Sequence, residues 1–561
     1  MNMKYKCTIL SLIAVILATS GCKKDFLNTK IDTFITPDAV VTNRGTLWSF
    51  ANACYTSLQY GYTSLDNNLF AATTDEAQQT VTTGNTLVYN LGSMNPNSNP
   101  ESGLYKNYYD GIRAVNFFLK YAEKGDALLV LGRDTITDPA SLVIDRQNLK
   151  WYIAEAHICR AYYYAELIKR YGGVPIITKT LQEADNLYVP KSSYEEVVEY
   201  IVSEIDNYKA RLQVNWKTSS YSANDGRFTL GSALAVKARV LLYAASPLHN
   251  STNDVAKWQR AAAASNEVMS TAGLGYVLNA SYGGYFIGAT ALTSNECIYA
   301  IRRSADNGPE VRNYPIVTPG GNSGLCPTNN LVSAYEYTGT PDPKNPYLNR
   351  DPRLAATIVT NGSTWNSRVI DQSPGGTDDM ALANTSKTGY YLKKFLTDNL
   401  NLQKGGTALH AWVAYRYGAV LLDYAEAMNE AYGPDVIPAG FTKSARQALK
   451  MVRDRASATL PVISTTVVSD FRNVVKHERL IEMAFEDYRY WDLLRWKDAA
   501  TVLNQPVTGV KVVSKDAFGV YTYQTVNVAT RTFNAAANYY YPFAYSEIVN
   551  SHNTLVQNPG Y

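Results

Sequence analysis

Residues 148–171 restrict the fold more than any other stretch of the chain. Trp151, Ala154, Ile158, Ala161, Tyr162, Ala165 and Ile168 recur at three- and four-residue intervals, the period of an amphipathic helix. Gly172-Gly173 and then Pro175 end it, since glycine leaves the helical conformation at no steric cost and proline cannot continue the ladder. A stripe this long must be covered by another element, and partners are at hand. The same period predicts helices over 39–60, 105–123, 193–212, 230–245, 255–272, 408–431, 444–456 and 470–497. The helix at 193 opens on a serine cap followed by Glu195-Glu196, acidic residues that suit the positive end of the helix dipole.

The predicted class is therefore mainly α. Alanines at 154, 161, 165, 233, 238, 245 and 261–264 let neighbouring helices approach closely, as in tetratricopeptide-type pairs, although no clean 34-residue period is present. Residues 61–103, rich in Asn, Thr, Ser and Gly, read as a long structured loop of the kind that carries function. From 273 to 406, Gly, Asn, Pro, Thr and Tyr dominate, broken by short β-like runs such as 297–301. The expected organisation is an N-terminal helical region 39–272 with the insertion 61–103, an irregular ligand-facing region 273–406, and a C-terminal helical region 407–561. Residues 539–561 are read as a terminal segment without a long helix.

The first residues address the chain. Lys4 and Lys6 precede an apolar run over 8–18 of about eleven residues, a signal-peptide length and well short of the roughly 20 needed to span a bilayer. Thr19-Ser20-Gly21-Cys22 follows: small residues for a peptidase groove, then a thiol that can receive diacylglycerol, with Thr19 where the common lipobox has Leu. The expectation is a signal peptide over 1–21 and a lipidated tether over 22–38, anchored to the membrane at Cys22, since two or more acyl chains hold a protein stably. The net charge of +3 falls close to neutral when Lys4 and Lys6 are removed, and no Lys/Arg runs occur, which argues against a nucleic-acid partner. There are 43 Tyr and 8 Trp against 15 Phe, an excess of rings that carry a polar handle and suit wet binding surfaces.

Catalytic signals are thin. His157, His249, His410, His477 and His552 are scattered without ligand spacing, and no nucleophile elbow or phosphate loop occurs, so neither metal nor cofactor is expected. Glu478, Glu482 and Glu486 could space two carboxyls for glycoside hydrolysis, but arginines and aromatics interleave them. They read instead as structural, with Glu482, Glu486 and Arg489 spaced for ion pairs on an exposed helix face, beside a core stripe of Ile481, Phe485 and Tyr488. Asp75-Glu76 and Asp378-Asp379 are acidic pairs in loops, oxygen donors of a type calcium accepts but poor dyads, because adjacent side chains do not face each other. Beyond Cys7 and Cys22, Cys54, Cys159, Cys297 and Cys326 have no CxxC spacing, and Cys159 in its apolar stripe reads as a buried free thiol.

Several segments, in order, carry a family resemblance: Arg160-Ala161-Tyr162-Tyr163-Tyr164; Arg170-Tyr171-Gly172-Gly173-Val174-Pro175; the run from Pro327 to Tyr335; Asn349-Arg350-Asp351-Pro352-Arg353-Leu354; the run from Arg416 to Ala427; Arg453-Asp454-Arg455-Ala456; the block from His477 to Trp496; and the ending Gln557-Asn558-Pro559-Gly560-Tyr561. Behind a lipoprotein signal, this set resembles the SusD/RagB family of nutrient-binding outer-membrane lipoproteins of Bacteroidetes. The resemblance implies four tetratricopeptide-like helix pairs with an irregular domain packed alongside. It also implies a cell-surface, non-catalytic protein that binds glycan and passes it to a SusC-like TonB-dependent outer-membrane transporter.

The family's ligand-facing residues lie in variable loops, so no motif places the site. Loop aromatics outside the helical stripes are the candidates: Tyr60, Tyr62, Tyr314 and Trp365, with Asp66 and Asn322 as polar partners. A peptide-binding relative, a surface glycoside hydrolase and a protein–protein adaptor stay open as other readings.

Overall fold

A computed structural model describes residues 40–182, 184–217, 221–457 and 459–561, so the signal, Cys22 and the tether lie outside the described residues. The chain begins with α1 (Arg44–Ala53), α2 (Ser102–Ala122), α3 (Pro139–Tyr171), α4 (Tyr194–Tyr208), α5 (Leu230–Ala245) and α6 (Val255–Ser270). Further on come α7 (Tyr417–Tyr432), α8 (Ala445–Ala456), α9 (Val468–Glu482) and α10 (Arg489–Trp496). Consecutive helices pack against one another as α1/α2, α3/α4, α5/α6 and α7/α8, with α2 also against α3 and α6 against α7 across the irregular region. The alanines serve as expected: Ala154, Ala161, Ala233, Ala238, Ala261 and Ala262 are essentially inaccessible at these contacts. Capping chemistry sets the starts. Ser193 with Glu196, Thr229 with Ser232 and Ser444 with Gln447 each form reciprocal capping boxes.

Three expectations need correcting. α1 is ten residues long, since the chain leaves it at Cys54. The helix expected over 408–431 begins at Tyr417. Residues Ala411–Arg416 form a strand, β2, paired antiparallel with β1 (Cys297–Arg302), a long-range partner that overrides local helix preference. The helix expected over 470–497 is two: the backbone breaks between α9 and α10, with Phe485 (φ 66°) and Asp487 (φ 61°) left-handed. The break also moves the carboxylates. Glu478 and Glu482 are inaccessible and Glu486 is 5% exposed, so they are not surface ion pairs.

They are instead the centre of a buried ionic network. Arg353 binds Asp351, Glu478 and Glu482; Arg416 binds Glu296, Glu482 and Glu486; Arg455 binds Glu296 and Glu482; Lys394 binds Glu486. Arg353 and Lys394 come from the irregular region, so the network bolts that region onto α9. Breaking a buried pair strands a charge, which makes each member hard to remove. Four free cysteines are described, and Cys159 is fully buried as expected.

The irregular region is sewn together by two-stranded ribbons, five among the described residues counting β1/β2. The largest, Val507–Lys515 with Tyr521–Ala529, is a hairpin in the C-terminal region 407–561, beyond the last helix read from the sequence. No described helix is long and apolar enough to cross a membrane.

Candidate ligand-binding face

The six loop residues singled out above come together, but on two different levels. Tyr60 leads into a short 3-10 turn, Gly61–Thr63, which lies hard against Trp412: a Cβ on Gly61 would come within 2.0 Å of the indole. Tyr62 packs its ring against Phe395, His410 and Trp412 at 5.3, 5.5 and 5.3 Å. His410 contacts Glu310 through Nε2 at 3.1 Å, and the other oxygen of Glu310 accepts from the Thr397 amide at 2.9 Å. The Tyr314 hydroxyl donates to the Thr397 carbonyl and accepts from the Leu400 amide, and Trp365 meets the Tyr314 ring edge-on at 6.0 Å.

These four aromatics therefore form one continuous floor. With Tyr60 4%, Tyr62 3%, Tyr314 0% and Trp365 3% exposed, they do not offer ring faces to a ligand. The expectation that they contact ligand is corrected: a region with little regular structure builds its core from large amphipathic rings, whose hydroxyls find loop carbonyls. Burial, followed by the charge of Asp306, pushes the Tyr60 hydroxyl up to about 12. One face of Tyr60 carries the guanidinium of exposed Arg303, 4.3 Å from the ring centroid.

Asp66 is also committed to structure. Its Oδ1 accepts from the Asn85 amide at 2.9 Å, and its Oδ2 from the Thr86 amide and hydroxyl, both at 2.8 Å, so it caps the helix Asn85–Asn90. Asn322 alone of the six is exposed, while its amide donates to the Val311 carbonyl at 2.8 Å.

Above the floor lies a shell of left-handed turns at Asp66, Asn67, Ser323, Asn366, Ser367 and Asn399. Such backbone costs of order 1–3 kcal/mol per residue and persists where the surroundings over-determine it. Here they do. Asn68 and Asn313 exchange side-chain amide hydrogen bonds at 3.0 and 3.1 Å, tying the 61–103 insertion to the irregular region. The Asn366 amide donates to Asp398, the Asn399 amide to the Asn366 side chain, and Ser367 Oγ to the Asn399 side chain, at 3.0, 3.0 and 2.7 Å. Asn67, Asn322, Ser367, Asp398 and Asn399 are exposed on or beside these turns, and Arg303 is exposed just after β1. Except for Asn322, the sequence reading missed them. Their signal was turn chemistry, Asp66-Asn67-Asn68, Asn366-Ser367 and Asp398-Asn399, rather than aromaticity.

The insertion is pinned from beneath. Arg489 grips Asp75 with two 2.8 Å bonds, holding its carboxyl below the usual range against the opposing effect of burial. Arg531 donates to the carbonyls of Thr74 and Ala77. Asp378 is bound by Arg368, and Asp379 caps the amides of Gly375 and Ala381. Both acidic pairs are thus occupied by the protein itself. Among the described residues no cluster of three or more His, Cys, Asp or Glu is placed to hold a metal. The face presents hydrogen-bond donors and acceptors held in place by these turns.

A separate concavity lies on the helical array. It is a groove of about 520 Å³ between α2, residues 175–189 and the C-terminal segment, lined by Tyr105, Tyr109, Ile112, Pro175, Leu187 and Leu555 among others. Its lining is chiefly apolar, and its charged rim is partly self-paired, Lys106 with Asp110 at 2.5 Å.

Comparison with known proteins fits this architecture. A family model described as the SusD family matches residues 285–561, and one described as starch-binding, associating with the outer membrane, matches residues 25–242. SusD-like protein P38 of Formosa agariphila is 25% identical over 380 residues, covering 64% of this chain and 69% of its own. A SusD-like protein from Bacteroides fragilis NCTC 9343 superposes with a TM-score of 0.75 at 25% identity, over 94% of this chain and 99% of its own. A SusD-like carbohydrate binding protein from the same strain gives 0.72 at 22% identity, over 92% and 99%, a likeness of fold.

Proposed function

Because the chain belongs to the SusD/RagB family, we propose that it is a cell-surface outer-membrane lipoprotein that binds glycan and delivers it to a SusC-like TonB-dependent transporter. The observation that carries the reading is that the two family models together span both the helical array and the irregular region. The second model's family, starch-binding and associating with the outer membrane, and the SusD-like carbohydrate binding protein of Bacteroides fragilis favour a saccharide ligand and this location.

The chemistry of the turn face supports it. Asn, Ser, Asp and Arg side chains fixed by rigid turns can hydrogen-bond sugar hydroxyls, and pre-ordered groups spare the entropy of ordering on binding. The protein's role is non-catalytic in this reading: Glu478, Glu482 and Glu486 are each held in salt links to arginine. Lipidation at Cys22 would tether the binding body through residues 22–38 beside its transporter.

The test is native gel electrophoresis of the protein through starch, laminarin, xylan and alginate, with reducing ends assayed in parallel. Retardation by at least one polysaccharide without release of reducing sugar is expected. Retardation with hydrolysis would replace this reading with a glycosidase, and indifference to all four would remove the saccharide ligand.

A further inference from the structure

The hairpin Val507–Lys515/Tyr521–Ala529 was not needed for the binding face, yet it carries a second set of aromatic side chains. Tyr521 and Tyr523 lie on one side of the second strand, their rings neighbours across the register shift between Thr522 and Tyr523. Both tyrosines are partly exposed, in contrast to the four buried rings of the floor. Their centroids lie 6.3 Å apart, and Tyr347, also partly exposed, stands edge-on to Tyr523 at 5.6 Å.

The surroundings hold these rings in place. Asn361 donates to the Tyr523 hydroxyl at 3.2 Å. Gly362, at φ 80°, brings bare backbone beneath Tyr521: a Cβ there would sit 3.6 Å from the ring. Lys515 lies 5.0 Å from the Tyr521 centroid and is bound to Asp371 at 2.8 Å, so a cation and a carboxylate flank the platform. Leu348 beside Tyr347 is 47% exposed. A fixed row of amphipathic rings edged by polar groups matches the two faces of a pyranose, apolar C–H above and below and hydroxyls around the rim.

The platform adjoins the face described above. Asn361 and Gly362, which touch it, lead directly into the small hairpin Thr364–Trp365/Arg368–Val369, whose tip is Asn366-Ser367 of the turn shell. The Gly362 amide donates to Ile370 at 2.8 Å, closing that hairpin. One six-residue segment therefore spans from the turns to the tyrosines.

We propose that Tyr347, Tyr521 and Tyr523 form a stacking subsite for a saccharide chain whose other end lies on the turn face. This rests on the saccharide reading above and extends it: the ligand is an oligosaccharide long enough to bridge the small hairpin, and short fragments bind the turns alone.

The experiment uses the full chain in detergent, in native gels through starch, laminarin, xylan and alginate, followed by calorimetry with a di- and an octasaccharide of whichever polymer retards it. Tyr521→Ala/Tyr523→Ala is expected to bind the polymer and the octasaccharide roughly tenfold more weakly, from two lost stacking contacts, and the disaccharide as wild type does. Tyr521→Phe/Tyr523→Phe keeps the rings and should bind within twofold of wild type, which separates stacking from a folding defect. Unchanged octasaccharide affinity in the alanine variant overturns the subsite while leaving the saccharide reading intact. Failure of wild type to interact with any of the four polymers overturns both.

Discussion

Arg416 and Glu486, seventy residues apart in sequence, meet in a two-point contact: Nε reaches one carboxylate oxygen at 2.7 Å and Nη2 the other at 2.8 Å. Arg416 ends a strand and Glu486 sits in the break between α9 and α10, so this pair joins the two places where the helical reading of the sequence fails.

Replacing Arg416 with Met should therefore cost about 3–5 kcal/mol of stability, the range for an uncompensated buried charge. The variant leaves Glu296, Glu482 and Glu486 with one fewer cation between them. Chemical denaturation would measure it, and a loss below 1 kcal/mol would mean that the neighbouring Arg455 and Lys394 suffice.

Glu76 predicts a pH dependence of the opposite kind to acid denaturation. Burial, then the charge of Asp75, raises its carboxyl from 4.5 to about 8, while its oxygens meet only Thr74 and the Phe485 amide. Between those two pH values the unfolded chain loses a proton that the native protein keeps, so stability falls as pH rises from 4.5 to about 8. Glu76→Gln should match wild type near pH 4 and exceed it progressively toward pH 8, by at most about 4 kcal/mol. Parallel pH curves for the two proteins would refute the assignment.

His249 supplies the acid limb. Its ring stacks on Tyr194 at 3.5 Å and 3°, and burial, aided by Lys257, lowers its pKa from 6.5 to about 3. Below pH 6.5 the unfolded chain takes up a proton that the native protein refuses, so stability is lost as pH falls toward 3. His249→Phe retains the stack and should be relatively more stable than wild type at pH 4 than at pH 7. Thermal melts at the two pH values decide it.

How much of this was legible depends on the range of the cause. Residues 230–245 were delimited from sequence to the residue because cap, period and stop all lie within the helix. The strand Ala411–Arg416 was not, because its reason is pairing with Cys297–Arg302 more than a hundred residues earlier. The run Met483 to Tyr488 reads locally as helix, but Phe485 and Asp487 turn left-handed among distant partners: Arg416 holds Glu482 and Glu486, Glu76 accepts from the Phe485 amide, and Asp487 accepts from the Ser64 hydroxyl and the Phe70 amide. At the candidate face, the sequence singled out loop aromatics but not the depth at which their rings lie. An aromatic in a loop has no periodicity to tell inward from outward. Tyr521 and Tyr523 do have it, two positions apart on a strand, but the hairpin had been read as part of a helical region.

The two levels of the candidate face should separate stability from recognition. Trp365 is buried against Tyr314, and its truncation to Ala removes a large ring from the floor, which should cost about 3–5 kcal/mol. Arg303 and Asn322 are exposed, so Arg303→Ala and Asn322→Ala should leave the denaturation midpoint nearly unchanged. If the turns read the ligand, each of these two should weaken polysaccharide retardation several-fold, the worth of one hydrogen bond at about 0.5–1.5 kcal/mol. Arg303→Ala carries an additional consequence, because it uncovers the Tyr60 face on which the guanidinium rests. A ligand that stacks there would bind Arg303→Ala more tightly than wild type, whereas a ligand held by the guanidinium would bind it more weakly. The turn-face reading requires the second result, and gel retardation of this single variant distinguishes them.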